Sequence, residues 1–230
     1  MPEESRMNVG GRTWRLSLPT VAMMAGLLAM IGVGYAVFPR HPDLRAFDPV
    51  AMAHSETMMW RHYYDRRYLF LFADLYENAQ TQYGFSPLDS VRIAVAAARA
   101  AGTFQPSTSR SGAEIALPFL ENYFDLLAHA TPLPLDVKAA ARAELDWWQA
   151  RREAVGPKSY GAIIARVSTL LYGLDNEELR KAGVLRAEAM AYRDARDGAI
   201  TDADWSAIET RLTEAYEILK REVANGPPKT

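Results

Sequence analysis

Cysteine is absent from all 230 residues. That absence removes disulfides, thiolate metal sites, haem attachment through CxxCH and a thiol nucleophile in one step. It leaves the compartment open, because exported domains also fold without disulfides. Histidine is scarce, with His41, His54, His62 and His129 making up the four. Three residues before them stand Phe38, Ala51, Met59 and Leu126. The paired Glu-x-x-His motifs of a di-iron bundle are therefore missing. HExxH, a P-loop, GxGxxG, GxSxG and an EF-hand loop are missing too. No metal and no cofactor is expected, although a Ser-His-Asp triad assembled from distant parts stays open.

Lysine is nearly as scarce, confined to Lys138, Lys158, Lys181, Lys220 and Lys229. Arginine carries the positive charge and alanine is abundant. A GC-rich bacterial genome produces both biases, so no single Arg counts as evidence of function. The formal net charge is −2. No basic face is implied, which argues against nucleic acid as a partner. Strand-like alternation does not occur after residue 40. Half of the residues are apolar (49%) against 23% charged, the composition of a chain that folds.

One long uncharged run is present. From Leu16 to Phe38 the chain reads LSLPTVAMMAGLLAMIGVGYAVF. Its 23 residues would rise roughly 34 Å as a helix, enough for the hydrocarbon core of a bilayer. Trp14, Arg15, Tyr35 and Arg40 flank it as interface residues do. A transmembrane signal anchor over 16–38 is the expectation, following a short tail at 1–15; a cleaved signal peptide is the alternative. Arg6, Arg12 and Arg15 outnumber Arg40 and Arg45, which puts the N-terminus in the cytoplasm and the rest on the periplasmic side. Ala25, Ala29, Gly32 and Ala36 share one face, a surface on which a second membrane helix could pack closely.

The remainder, 39–226, reads as one all-helical domain of about seven helices, with a C-terminal tail at 227–230. Asp48-Pro49 opens a helix expected to run unbroken to Thr81. Ser86-Pro87 opens the next, to Gly102. Further helices are expected over 112–130, 136–155, 160–172, 175–196 and 201–225, with Asp175 and Glu178 as a capping-box-like start. The last has the cleanest apolar stripe: Trp205, Ile208, Leu212, Ala215, Tyr216, Leu219 and Val223.

Charges on apolar faces are the remaining signal. At 100° per residue, Glu56, Arg67 and Asp74 fall on the same side as Trp60, Tyr64 and Leu71, with Tyr63 and Phe70 beside them. Arg61, His62, Asp65 and Arg66 point away. Arg92 and Arg99 emerge together from an Ala-rich helix. Glu144 and Arg151 flank Trp148, while Trp147 lies a quarter turn away, at a partner or membrane surface. Arg186 and Arg193 border the Leu179–Ala189 stripe. Charges withdrawn from water need partners. Two readings follow. In the first, these groups form an internal ion-pair network. In the second they line a polar pocket with Trp60, Tyr63, Tyr64, Trp147 and Trp148 for an amphipathic anion, Glu56 acting as acid/base or ion partner and Arg99 as clamp. The matching functional expectations are an anchored module acting through a protein partner or homo-oligomer, and a membrane-tethered pocket protein.

Overall fold

The computed structural model describes residues 18–38 and 40–226; the expected tails at 1–15 and 227–230, and positions 16 and 17 of the expected membrane span, lie outside the described residues. The chain divides into two compact units, Met1–Phe38 and Pro39–Thr230. Among the described residues every regular element is helical, and no strand is present.

The first unit holds helix α1, Leu18–Val37. Its side chains are described from Met23 to Ala36, and all are exposed apart from the partly covered Ala36. None of them is charged. Ala25, Ala29 and Gly32 are thus open to solvent. Among the described residues no helix is long and apolar enough to cross a membrane.

The second unit is built from α2 (Pro49–Tyr64), α3 (Tyr68–Thr81), α4 (Pro87–Phe104), α5 (Arg110–Ala113), α6 (Leu117–Leu127), α7 (Val137–Arg152), α8 (Pro157–Tyr172), α9 (Glu177–Asp194) and α10 (Asp202–Ala224). Single 3-10 turns precede and follow α6. Local chemistry sets most starts. Asp48, Ser86, Ser109, Asp136 and Asn176 each accept a backbone N–H from the first turn that would otherwise lack a partner. Asn176, not Asp175, caps α9; Asp175 instead pairs with Arg180. Thr201 and Asp204 form a full capping box. Its hydrogen bonds to Asp204, with Tyr192 and Arg196 adding to them, hold that carboxyl down at about 2.

The expected single helix over 48–81 is instead two. The chain breaks at Asp65–Arg67, where Arg66 takes the left-handed conformation with φ 58°. The Arg67 N–H bonds the His62 carbonyl and the Arg66 N–H bonds the Tyr63 carbonyl, the two closing bonds of a Schellman turn. Ala154 does the same at the end of α7, with φ 54° and the Val155 N–H on the Ala150 carbonyl. Glycine would adopt either conformation without the Cβ penalty.

The core is rich in alanine, and small residues let helices approach closely. Gly161 on α8 faces Gly183 on α9. A Cβ on Gly183 would stand 2.4 Å from the Gly161 carbonyl oxygen, and one on Gly161 would stand 2.7 Å from Val184 Cα. The α10 stripe from Trp205 to Val223 is buried along its whole length. Phe47, Phe85, Phe124, Leu145 and Leu212 fill the centre.

Candidate functional site

The break at Arg66 re-phases everything after it. Arg67 is exposed at the start of α3, its guanidinium over the Phe70 ring at 5.7 Å, and not on the apolar side. Phe70 is exposed with it, 59% accessible. His62, expected to face outward, is buried and pairs with Asp74 through Nδ1 at 2.5 Å. Asp74 therefore answers His62 and not Arg67. Arg92 and Arg99 are both exposed on the outer face of α4, away from the buried carboxylates. Arg92 pairs with Asp89 at 3.2 Å. The expected clamp role of Arg99 has no buried partner to serve.

The structure brings the other charges together in two groups. In the centre, α2 contributes Glu56, α9 Arg186, α10 Tyr216 and α7 Glu144. Arg186 donates Nε to Glu56 Oε2 at 3.2 Å and a terminal nitrogen to Oε1, the two-pronged geometry of a guanidinium on a carboxylate. The Tyr216 hydroxyl donates to the same Oε2 at 2.5 Å. Only 8% of the Glu56 side chain is accessible, so the carboxylate depends on these donors in place of water. Burial opposes the charge on Arg186, but Glu56, then Tyr216 and Glu144, outweigh it and raise its pKa.

Glu144 is the less satisfied carboxylate. Trp148 donates Nε1 to its Oε1 at 2.9 Å, and Trp147 also hydrogen-bonds to it. Burial nevertheless raises its pKa, since neither indole bond nor the pull of Arg186 fully offsets desolvation, and Glu56 adds repulsion. Only Glu56 is bonded to the Arg186 guanidinium; Glu144 feels that charge through space. Tyr123 and Tyr172 lie in the same field, their pKa values raised chiefly by burial. The Tyr172 hydroxyl donates to the Leu44 carbonyl at 3.2 Å.

The second group sits where α2, α7 and α9 meet. Arg193 lies 3.2 Å from the centre of the Tyr64 ring, and Arg151 donates to the Tyr64 hydroxyl. Arg151 also grips Asp194 with Nε at 3.1 Å and Nη2 at 2.7 Å. Arg193, expected only to border the stripe, is buried and reaches Asp197 at 2.9 Å. Tyr63 packs edge-on against Tyr64, and burial raises its pKa. Trp60 is half-buried, packed against both apolar clusters of the core. Trp147 and Trp148 are both half-buried and meet edge to face at 6.1 Å, so neither is displayed outward. Arg110, the first residue of α5, is held by Glu153.

Of the residues singled out from sequence, Glu56, Glu144, Trp148 and Arg186 converge on one centre, and Tyr63, Tyr64 and Arg151 on another. Arg67, Asp74, Arg92 and Arg99 join neither. Tyr216 is the functional-looking group that periodicity concealed: on the cleanest apolar stripe, a Tyr reads as packing. Among the described residues no cluster of His, Asp and Glu has the makings of a metal site. The surface depressions seen lie elsewhere, one over α8 at Arg166 and Thr169 and one between α4 and α6 at Val95 and Leu126. No protein-family model, curated protein or solved structure matches this chain.

Proposed function

We propose that the protein is a single-pass membrane-anchored helical module that works through contacts with another protein. The observation that carries this reading is α1. Every described side chain from Met23 to Tyr35 is exposed and none is charged. Leu28, Met30 and Ile31, each near or above 60% accessible, have no water-side reason to be so. The uncharged run in the sequence extends from Leu16 to Phe38, long enough to span. The excess of Arg on its N-terminal side favours a periplasmic domain. Within the domain, Glu56, Arg186 and Tyr216 satisfy one another, and Arg151 is committed to Asp194 and Tyr64. These charges therefore support a rigid scaffold more than an open site. The competing reading, a pocket for an amphipathic anion, draws on Glu144 and its raised pKa. It would need a cavity opening beside that carboxylate.

Alkaline carbonate extraction of membranes tests the anchor. The full chain should stay in the pellet, with its N-terminal residues intact by protein sequencing. Leu28→Arg together with Ile31→Arg should release it, since each charge at mid-bilayer costs about 3 kcal/mol. Release of the unaltered chain, or a mature N-terminus beyond Phe38, would sink the reading. Protease added to intact spheroplasts should degrade the domain if it is periplasmic.

A further inference from the structure

We propose that the outer face of α4 is a docking seam for an acidic amphipathic helix of the partner protein; the inference rests on the proposed action through protein contacts. Helix α4 already spends one face on the core, through Ser90, Ile93, Ala94, Ala96 and Ala100. A helix with a single packing duty carries charge on its other side. Here the other side is apolar again. Leu88, Val91, Val95, Ala98 and Gly102 follow one another at spacings of three and four, the a/d repeat by which helices pair. Leu88 and Val91 are 37% and 40% accessible, Val95 is half-buried, and Ala98 and Gly102 are exposed. A Cβ on Gly102 would meet nothing within 4 Å.

Shape and charge define the occupant. The seam residues are small, and beside them a recess of about 420 Å³ opens between α4 and α6, floored by Val91, Val95 and Leu126. A partner must supply the bulk: Leu, Ile or Phe side chains set into a groove. Arg92 and Arg99 stand seven residues apart on one edge of the seam. Arg99 has no ion-pair partner among the described residues, and Arg92 has only the exposed pair with Asp89, the kind worth least. Carboxylates on the docking helix would meet both. A second copy packed through the same seam does not provide them. Set seam to seam in parallel, the flanking positions opposite Arg92 and Arg99 are Pro87 and the buried Ala94; set antiparallel, arginine faces arginine.

The test titrates the full chain in detergent micelles into two fluorescein-labelled three-heptad peptides. Both carry Leu at a and d; one has Glu at its flanking positions and the other Lys. The Glu peptide should bind at least about tenfold more tightly, with an affinity that weakens in salt. Val95→Glu should abolish binding while leaving the unfolding transition in place. Arg92→Glu with Arg99→Glu should reverse the preference toward the Lys peptide, which a merely structural role would not do. Equal binding of the two peptides, or none up to about 1 mM, would overturn the proposal. So would a Val95-dependent dimer in light scattering, which assigns the face to a second copy. Loss of Glu-peptide binding on transfer from neutral to anionic nanodiscs would also overturn it, because lipid would then be the occupant. Failure of the anchor leaves the peptide titration readable, and failure of the titration leaves the anchor standing.

Discussion

Replacing Gly183 by Ala sets two known effects against each other, and the crossing of α8 and α9 decides which wins. In a helix interior, Gly→Ala ordinarily stabilises by about 1 kcal/mol, because the unfolded chain loses freedom and the helix gains a better former. At Gly183 the new methyl would sit 2.4 Å from the Gly161 carbonyl oxygen, 2.9 Å from the Ala165 nitrogen and 3.0 Å from its Cβ. The two nearest neighbours are backbone, so no rotamer change relieves them. The helices must separate by most of an ångström, which thins the packing of Tyr160, Ile164, Ala187 and Met190 along the same crossing. Overpacking of this kind costs about 3 kcal/mol at its upper end. The net expectation is a loss of about 2 kcal/mol, against a gain of up to about 1 kcal/mol for Gly102→Ala, where the methyl meets nothing. Urea titration of the full chain in detergent, followed by Trp fluorescence, gives both midpoints under one m value. A Gly183→Ala protein as stable as the parent, or one matching Gly102→Ala, would refute the argument. Gly161→Ala added on top should cost less than it does alone, since the helices have already parted.

Three further outcomes follow from the same contacts. Arg186→Met should destabilise by about 3–5 kcal/mol by stranding Glu56, while Arg186→Met combined with Glu56→Leu should recover much of that in urea unfolding. Glu144→Gln keeps an acceptor for Trp148 but removes the titration. Burial raises the Glu144 pKa, so the folded state holds a proton that the unfolded chain releases, and stability falls as pH climbs from the ordinary carboxylate range through the raised value. The variant should therefore match the parent at about pH 4 and exceed it at about pH 7.5; parallel stability curves would contradict the assignment. Ala154→Gly should raise the unfolding free energy by up to about 1 kcal/mol, because it relieves a left-handed residue; a loss would mean that the methyl packs usefully.

Much of the fold was legible in the sequence because short-range chemistry sets it. Asp48-Pro49, Ser86-Pro87, Asp136 and Thr201 start helices whatever lies around them, since an N-cap needs only its own first turn. The stripe from Trp205 to Val223 predicted its burial for a similar reason: one unbroken helix keeps its phase. The run 48–81 failed because Arg66 closes α2 in a conformation that Gly usually marks, and Arg gives no sign of it. Once phase was lost there, Arg67 was placed on the apolar side, whereas it is exposed at the start of α3; His62 precedes the break and is covered because α3 turns back along α2 and brings Asp74 to it. Arg92 and Arg99 show the complementary limit. Periodicity set them on one edge of α4 but could not tell which of its two apolar faces meets the core.

What the sequence determined by itself is the helical class, the uncharged run at 16–38, the positions of most caps, and the absence of thiol chemistry. What only the tertiary structure decided is partnership. Glu56 meets Arg186 across 130 residues and Tyr216 across 160. Glu144 is left with only the through-space pull of that guanidinium, and indoles in place of a counter-ion of its own. Such pairings depend on how helices cross, and the crossing of α8 on α9 is set by two glycines whose meeting no local rule foretells. Local signals fix each helix because they act within a turn or two; the buried charges acquire their meaning from neighbours brought together by packing.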